Sequence, residues 1–275
     1  MQPAPDHPEI FAAIQPVIAE FLPILRSFAI GRYAIAISGS YGKGTHDGRS
    51  DVDFRLYADD LSATFAEMGQ AIRQPQKAWG RKGIQVDDFW PRKIGEVEAA
   101  LEKWLNGDST ADNHIWTVWG YHLLPDLYHQ QALADPDAIV ANWKTRLAVY
   151  PPKLKQALLD KHLGVLQYWR HDYHYANKVQ RQDVVFLAGL SSKLVHALIQ
   201  VLFALNETYY VGDGQNLEFV ARLPQQPPQA VARLRASLDP ANLEDQRKTL
   251  CELIDDVEHL AATLGYEHQR WNPLA

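Results

Sequence analysis

The chain has 275 residues, with 27 Lys and Arg against 33 Asp and Glu, a net charge of −6. Its 47% apolar and 22% charged residues are ordinary for a globular protein and exclude disordered, collagenous and low-complexity classes. A chain of this length fits one large domain or two small ones and buries enough surface to fold without disulfides or a structural metal.

From Pro8 to Phe28 the apolar residues Phe11, Ile14, Val17, Ile18, Phe21, Leu22 and Leu25 recur at intervals of three and four. This predicts an amphipathic helix, with Pro16 and Pro23 kinking or splitting it. Tyr33 to Ser38 is short and apolar and stops at Gly39, the pattern of a buried strand. A glycine-rich loop, Gly39 to Arg49, follows. Asp51 to Tyr57 then alternates Val52, Phe54 and Leu56 with Asp51, Asp53 and Arg55. That alternation predicts a strand with one apolar and one charged face. Asp60 to Gln74 reads as a helix capped by Asp60. Gly83 to Phe89 reads as a short strand with Ile84 and Val86 toward the core and Gln85 and Asp87 opposite.

From Ile94 onward the pattern is almost entirely helical: Ile94 to Leu105, Asp137 to Val149, Lys153 to Lys178, Asp183 to Tyr209, Gln229 to Leu238, and Asn242 to Gly265. The expected architecture is therefore α+β, a mixed sheet with helices over 1–92 followed by an all-helical part over 93–275. The single cysteine, Cys251, excludes an intramolecular disulfide and a cysteine-built zinc site, and the helix around it places it in a core. The N-terminus MQPAPDHPEI lacks the basic region and apolar segment of a signal peptide. No uninterrupted apolar run reaches the ~20 residues of a membrane span. A cytoplasmic protein without membrane contact is expected.

The chemistry concentrates in one stretch. Asp51 and Asp53 stand at i and i+2 of a strand and so share a face, an arrangement suited to a hard divalent cation such as Mg²⁺. Gly39-Ser40, directly after the preceding strand, lets the backbone approach a phosphate, and the Ser40 hydroxyl adds a donor. The order of Lys43, Gly44 and Thr45 excludes a P-loop, and the glycine spacing excludes a dinucleotide fingerprint.

The apolar strand, Gly39-Ser40, a loop, and Ser50-Asp51-Val52-Asp53 on the next strand together resemble the signature of the nucleotidyltransferase superfamily that includes DNA polymerase beta. The resemblance spans about Tyr33 to Trp90. It implies a polymerase-beta-like sheet, with Asp51 and Asp53 holding Mg²⁺. A third acid on a later strand, Asp87, would complete the metal site or act as general base. Asp88 is the alternative, exchanged with Asp87 by a bulge. Gly39, Ser40, Lys43, Arg49, Ser50 and the helix lysine Lys193 are the expected contacts for the phosphates of a nucleoside triphosphate, ATP by resemblance. Lys178 and Arg181 are weaker candidates for the same task.

The helical remainder is similar to the C-terminal half of aminoglycoside and lincosamide adenylyltransferases. Leu202 to Glu207 with Tyr209-Tyr210 also resembles a related, uncharacterised bacterial group. The implied activity is Mg²⁺-dependent transfer of a nucleoside monophosphate to a hydroxyl of a small molecule, by a monomer or homodimer. Nucleotidylation of a protein or tRNA, or nucleotide sensing without turnover, are the alternatives. The acidic balance disfavours nucleic acid as a partner.

Further expectations concern the helical part. Trp169 to Lys178 is polar and aromatic; Asp172, His171 and His174 either contact a hydroxyl-rich substrate or form an exposed face. Trp116, Trp119, Tyr121 and His122 are either an aromatic wall for a ring or core residues. His114, His122 and His129 lack metal-ligand spacing.

Overall fold

The computed structural model describes residues 8–87, 89–239 and 241–266. They fall into two compact units, 8–104 with 123–149, and 105–122 with 150–266.

The first unit opens with a 3₁₀ segment, Pro8–Ile14, and continues as helix α1, Gln15–Ser27. The change falls at Gln15, just before Pro16, which sits in the first turn of α1 where its missing N–H costs nothing. Strand β1 (Ala29–Ile37), the short helix α2 (Gly39–Lys43) and strand β2 (Phe54–Leu61) follow. Helix α3 runs over Phe65–Gly80, later than the sequence pattern suggests. Thr64, not Asp60, caps it, through a reciprocal box with Glu67. Asp60 instead lies in β2 and pairs with Lys93 at 2.7 Å. The helix continues through Pro75. Strand β3 (Trp90–Lys93), helix α4 (Ile94–Leu105), helix α5 (Leu123–His129), strand β4 (Gln131–Ala134) and helix α6 (Ile139–Leu147) complete the unit.

The sheet is mixed, in the order β3-β2-β1-β4. β1 lies antiparallel to β2 and β4, while β2 and β3 are parallel. The side chains of β1 alternate as a pleated strand requires. Ile35 and Ile37 join a core with Val17, Phe21 and Leu25 of α1, Phe54 and Leu56 of β2, and Met68 and Ile72 of α3. Phe21 stacks on Phe54 at 5.3 Å.

The opposite face is not the solvated one that the alternation of β2 predicts. Phe54 through Ala58 are all buried. Tyr57 meets Trp143 of α6 edge-on at 4.8 Å, and its hydroxyl donates to Gln130 at 2.9 Å. A central strand covered on both faces must bury its polar residues and supply them with partners.

This second layer also moves the expected boundary. β4 pairs with β1, and Arg146 of α6 donates to Glu98 and Glu102 of α4, each at 2.6 Å. Residues 123–149 thus belong with the sheet, and 93–275 is not all helical. The sequence hides this because β4 is only four residues long and α5 seven.

The second unit is helical in its regular elements: α7 (Pro152–His171), α8 (Tyr173–Gln180), α9 (Val184–Leu205), α10 (Asn216–Val220), α11 (Ala230–Ala236) and α12 (Leu243–Thr263). The helix expected over Lys153 to Lys178 breaks at Asp172, whose carboxylate caps α8 by accepting from the His174 N–H at 2.6 Å. α9 packs against α7 and α12. Cys251 of α12 is buried, as its pattern predicts. By length and composition alone α9 could cross a membrane, with a mean hydropathy of 1.7 over a window that is 56% buried, as a core helix also is. Its polar residues Ser191, Ser192, Lys193, His196 and Gln200 interrupt the run without shortening the helix.

Candidate active site

The end of β1 determines where the site forms. Its pairing with β2 closes at Ile37 opposite Phe54, and the Ser38 N–H then donates to the Asp53 carbonyl at 2.9 Å. Gly39 turns the chain at φ +58°, and a Cβ there would stand 1.8 Å from Asp53 Oδ2. Only glycine satisfies both constraints. The expected loop begins instead with the single turn of α2, closed by Gly44 in the left-handed conformation. At Gly42 an added Cβ would stand 3.2 Å from the carbonyl oxygens of Ile37 and His129, so the small residue lets this turn lie close against α5. Tyr41 stacks on His46 at 4.4 Å. Among the described residues, no group hydrogen-bonds the buried Ser40 Oγ.

Asp51 and Asp53 precede β2 rather than lying in it. An isolated parallel bridge between Val52 and Val86 carries the third acid to them. Val52 N–H donates to the Gln85 carbonyl at 3.0 Å, and Asp87 N–H to the Val52 carbonyl at 3.2 Å. The Gln76 side chain of α3 donates to the carbonyls of Val86 and Asp87 at 3.3 and 3.1 Å. The strand expected over Gly83 to Phe89 is reduced to this bridge, and β3 starts at Trp90. One oxygen from each of Asp51, Asp53 and Asp87 lies within 4.8 Å of the others. Asp88 lies outside the described residues.

Carboxylates this close repel one another. The Asp53 carboxyl is pushed up to about 6, first by burial, which outweighs the nearby Arg55, and further by Asp51, Asp126 and Asp87. A divalent cation would supply further opposite charge, and an all-oxygen ligand set suits Mg²⁺ or Mn²⁺. The unpartnered Ser40 hydroxyl and the side-chain-free edge at Gly39 fit a phosphate oxygen beside that cation.

The buried pairing of Arg55 with Asp126 escapes the sequence reading. Arg55, 9% exposed, turns to the α5 side of the sheet and meets Asp126, 8% exposed. Nε donates to Asp126 Oδ2 at 2.9 Å and Nη2 to Oδ1 at 3.2 Å. Ser38 Oγ donates to the same carboxylate. Burial alone would raise the Asp126 pKa, but the charge and hydrogen bonds of Arg55, with Arg92 and Ser38, outweigh it and hold the carboxyl below its ordinary range. The available signal was an aspartate inside the apolar run Leu123 to Tyr128, together with an arginine committed to a strand.

Lys43 reaches into the same region. Burial lowers its pKa, while Asp126 and Asp53 oppose the shift. His129 is depressed to about 4 by burial and by Lys43 and Lys144, so its ring is neutral near pH 7. Arg49 and Ser50 serve the loop. The Arg49 N–H donates to Asp47 Oδ1 at 2.9 Å, and Ser50 Oγ accepts from the Asp47 N–H at 2.9 Å.

Lys193 belongs to the second unit and is exposed on α9, which removes the cost of placing its charge in an apolar helix. Lys178 pairs with Asp183 at 2.6 Å. Arg170 forks onto Asp255 at 2.8 and 2.9 Å. The expected aromatic wall divides in two. Trp116 stacks on His114 at 5.2 Å and meets Tyr121 edge-on at 6.3 Å, whereas Trp119 stacks on His196 at 4.2 Å and His122 lies 4.8 Å from Tyr210.

A family model described as a domain of unknown function (DUF4037) matches residues 116–213. That span includes Asp126 and excludes Asp51, Asp53 and Asp87. None of the curated proteins matches the chain. Among solved structures, the nucleotidyltransferase-like protein from Exiguobacterium sibiricum 255-15 is similar, with 9% identity and a TM-score of 0.44, over 92% of this chain and 77% of that one.

Two outcomes test this geometry. Gly39→Ala forces a side chain onto Asp53 in a left-handed conformation, so urea unfolding should report a loss of at least about 1 kcal/mol; unchanged stability would contradict the close approach. The Asp126 carboxyl is depressed in the folded state, so its stabilisation is present above the unfolded pKa of about 3.9 and is lost as pH falls from there through the lower folded-state value. Asp126→Asn should cost about 3–5 kcal/mol at pH 7 and flatten the acid limb of stability against pH. An acid limb identical to wild type would contradict the pairing.

Proposed function

We propose that the protein is a Mg²⁺-dependent nucleotidyltransferase that moves a nucleoside monophosphate, AMP from ATP, onto a hydroxyl of a small molecule. The observation that carries this reading is the convergence of Asp51, Asp53 and Asp87 within 4.8 Å beside the Gly39–Ser40 turn. Mg²⁺ bound to these carboxylates would neutralise phosphate charge and orient the triphosphate for in-line displacement.

The chain's own residues complete the chemistry. Ser40 Oγ donates to a phosphate oxygen, and Lys43 adds positive charge on the same side. Asp87, the exposed member of the triad, accepts the proton from the acceptor hydroxyl as its oxygen bonds to the α-phosphorus. The bond from the α-phosphorus to the oxygen bridging it to the β-phosphate breaks, and pyrophosphate leaves with that electron pair. An acidic site favours a cationic, hydroxyl-rich acceptor of the aminoglycoside type.

The test is pyrophosphate release from MgATP with pooled aminoglycosides, lincosamides and other hydroxylated amines. Release should require an acceptor and vanish in Asp51→Asn. Binding of MgATP without release in any pool would contradict transfer to a small hydroxyl.

A further inference from the structure

The Arg55 guanidinium stands between two carboxylates that have different tasks. It forks onto Asp126 through Nε and Nη2, at 2.9 and 3.2 Å. Its Nη1 donates to the Phe54 carbonyl at 3.1 Å and lies 3.8 Å from Asp53 Oδ1. The last separation is beyond a hydrogen bond. A buried guanidinium deprived of its counter-ion would pay a large desolvation cost, and among the described residues the other carboxylate beside it is Asp53.

We propose that Asp126 is a positioning residue that holds the Arg55 guanidinium off Asp53, leaving that carboxylate available to a divalent cation. The inference rests on the metal-site reading above and adds a residue outside the triad. The bidentate fork fixes the plane and direction of the guanidinium. Ser38, immediately before Gly39, fixes Asp126 from the other side through its hydroxyl. Asp126 thereby links the end of β1, Arg55 as the second residue of β2, and α5. It also neutralises Arg55, so the triad keeps its net negative field. Without Asp126, Arg55 closes on Asp53 and competes with the cation as both a contact and a charge.

The experiment is Mn²⁺ titration followed by the electron paramagnetic resonance of the unbound ion, with no nucleotide present. Asp126→Asn should weaken Mn²⁺ binding about ten- to a hundredfold, the range for residues that support metal ligands. Its metal-free crystal structure should place Arg55 in hydrogen-bond contact with Asp53. The double variant Arg55→Met with Asp126→Leu replaces the buried pair with apolar groups, a change that is often tolerated, and should bind Mn²⁺ at least as tightly as wild type. This second variant decides the matter if Asp126→Asn does not fold. Unchanged affinity and an unmoved guanidinium in Asp126→Asn, or a tenfold loss in the double variant, would overturn the proposal. Wild-type protein that binds no Mn²⁺ through Asp51 would overturn the metal-site reading itself, a separate result.

Discussion

The antiparallel pairing of β1 with β2 is the constraint on which the rest of the site depends. It ends at Ile37 opposite Phe54, so the next residues of each strand, Ser38 and Asp53, are joined by a backbone hydrogen bond of 2.9 Å. Gly39 is thereby pressed against the Asp53 carboxylate, and no other residue fits there. A one-residue slip would carry Ile35 and Ile37 out of the core and Asp53 away from the turn. The apolar packing of Phe21, Phe54 and their neighbours therefore sets the register, and the register sets the position of the carboxylates.

The two faces of the sheet contribute differently. The α1–α3 side is apolar and supplies stability through burial. The α5–α6 side carries Arg55, Tyr57, Asp126 and Gln130, each buried and hydrogen-bonded. A polar layer under a central strand is costly unless every member is satisfied. Here the Arg55–Asp126 pair also fixes the charge distribution beneath the acidic triad, while the buried Gln130 Nε2 has no hydrogen-bond partner among the described residues. The helical second unit presents a different kind of polar core, in which His162 and His196 are held neutral mainly by burial, each at about 3.

Much of the candidate site's geometry was legible in the sequence. Gly39-Ser40 and Asp51-Val52-Asp53 identify themselves because glycine before a polar turn and carboxylates at i and i+2 are local patterns. Asp87 follows from alternation with Val86, and the structure brings it to the other two through a single parallel bridge. Asp126 was not legible, because its meaning depends on a partner 71 positions away. The same limit explains β4, a four-residue strand recognisable only through its pairing with β1. It also explains Arg55, whose place in an alternating strand predicts solvent until α5 covers that face. Helices such as Ile94–Leu105 were legible to the residue, since their periodicity is internal to the segment.

The central claim is that Asp51, Asp53 and Asp87 form one cation site. Anomalous diffraction from crystals soaked in Mn²⁺ tests it most directly. The account predicts a peak about 2.1–2.3 Å from oxygens of these carboxylates, absent in Asp51→Asn. A peak elsewhere, or none at the triad in crystals soaked at saturating Mn²⁺, would contradict it.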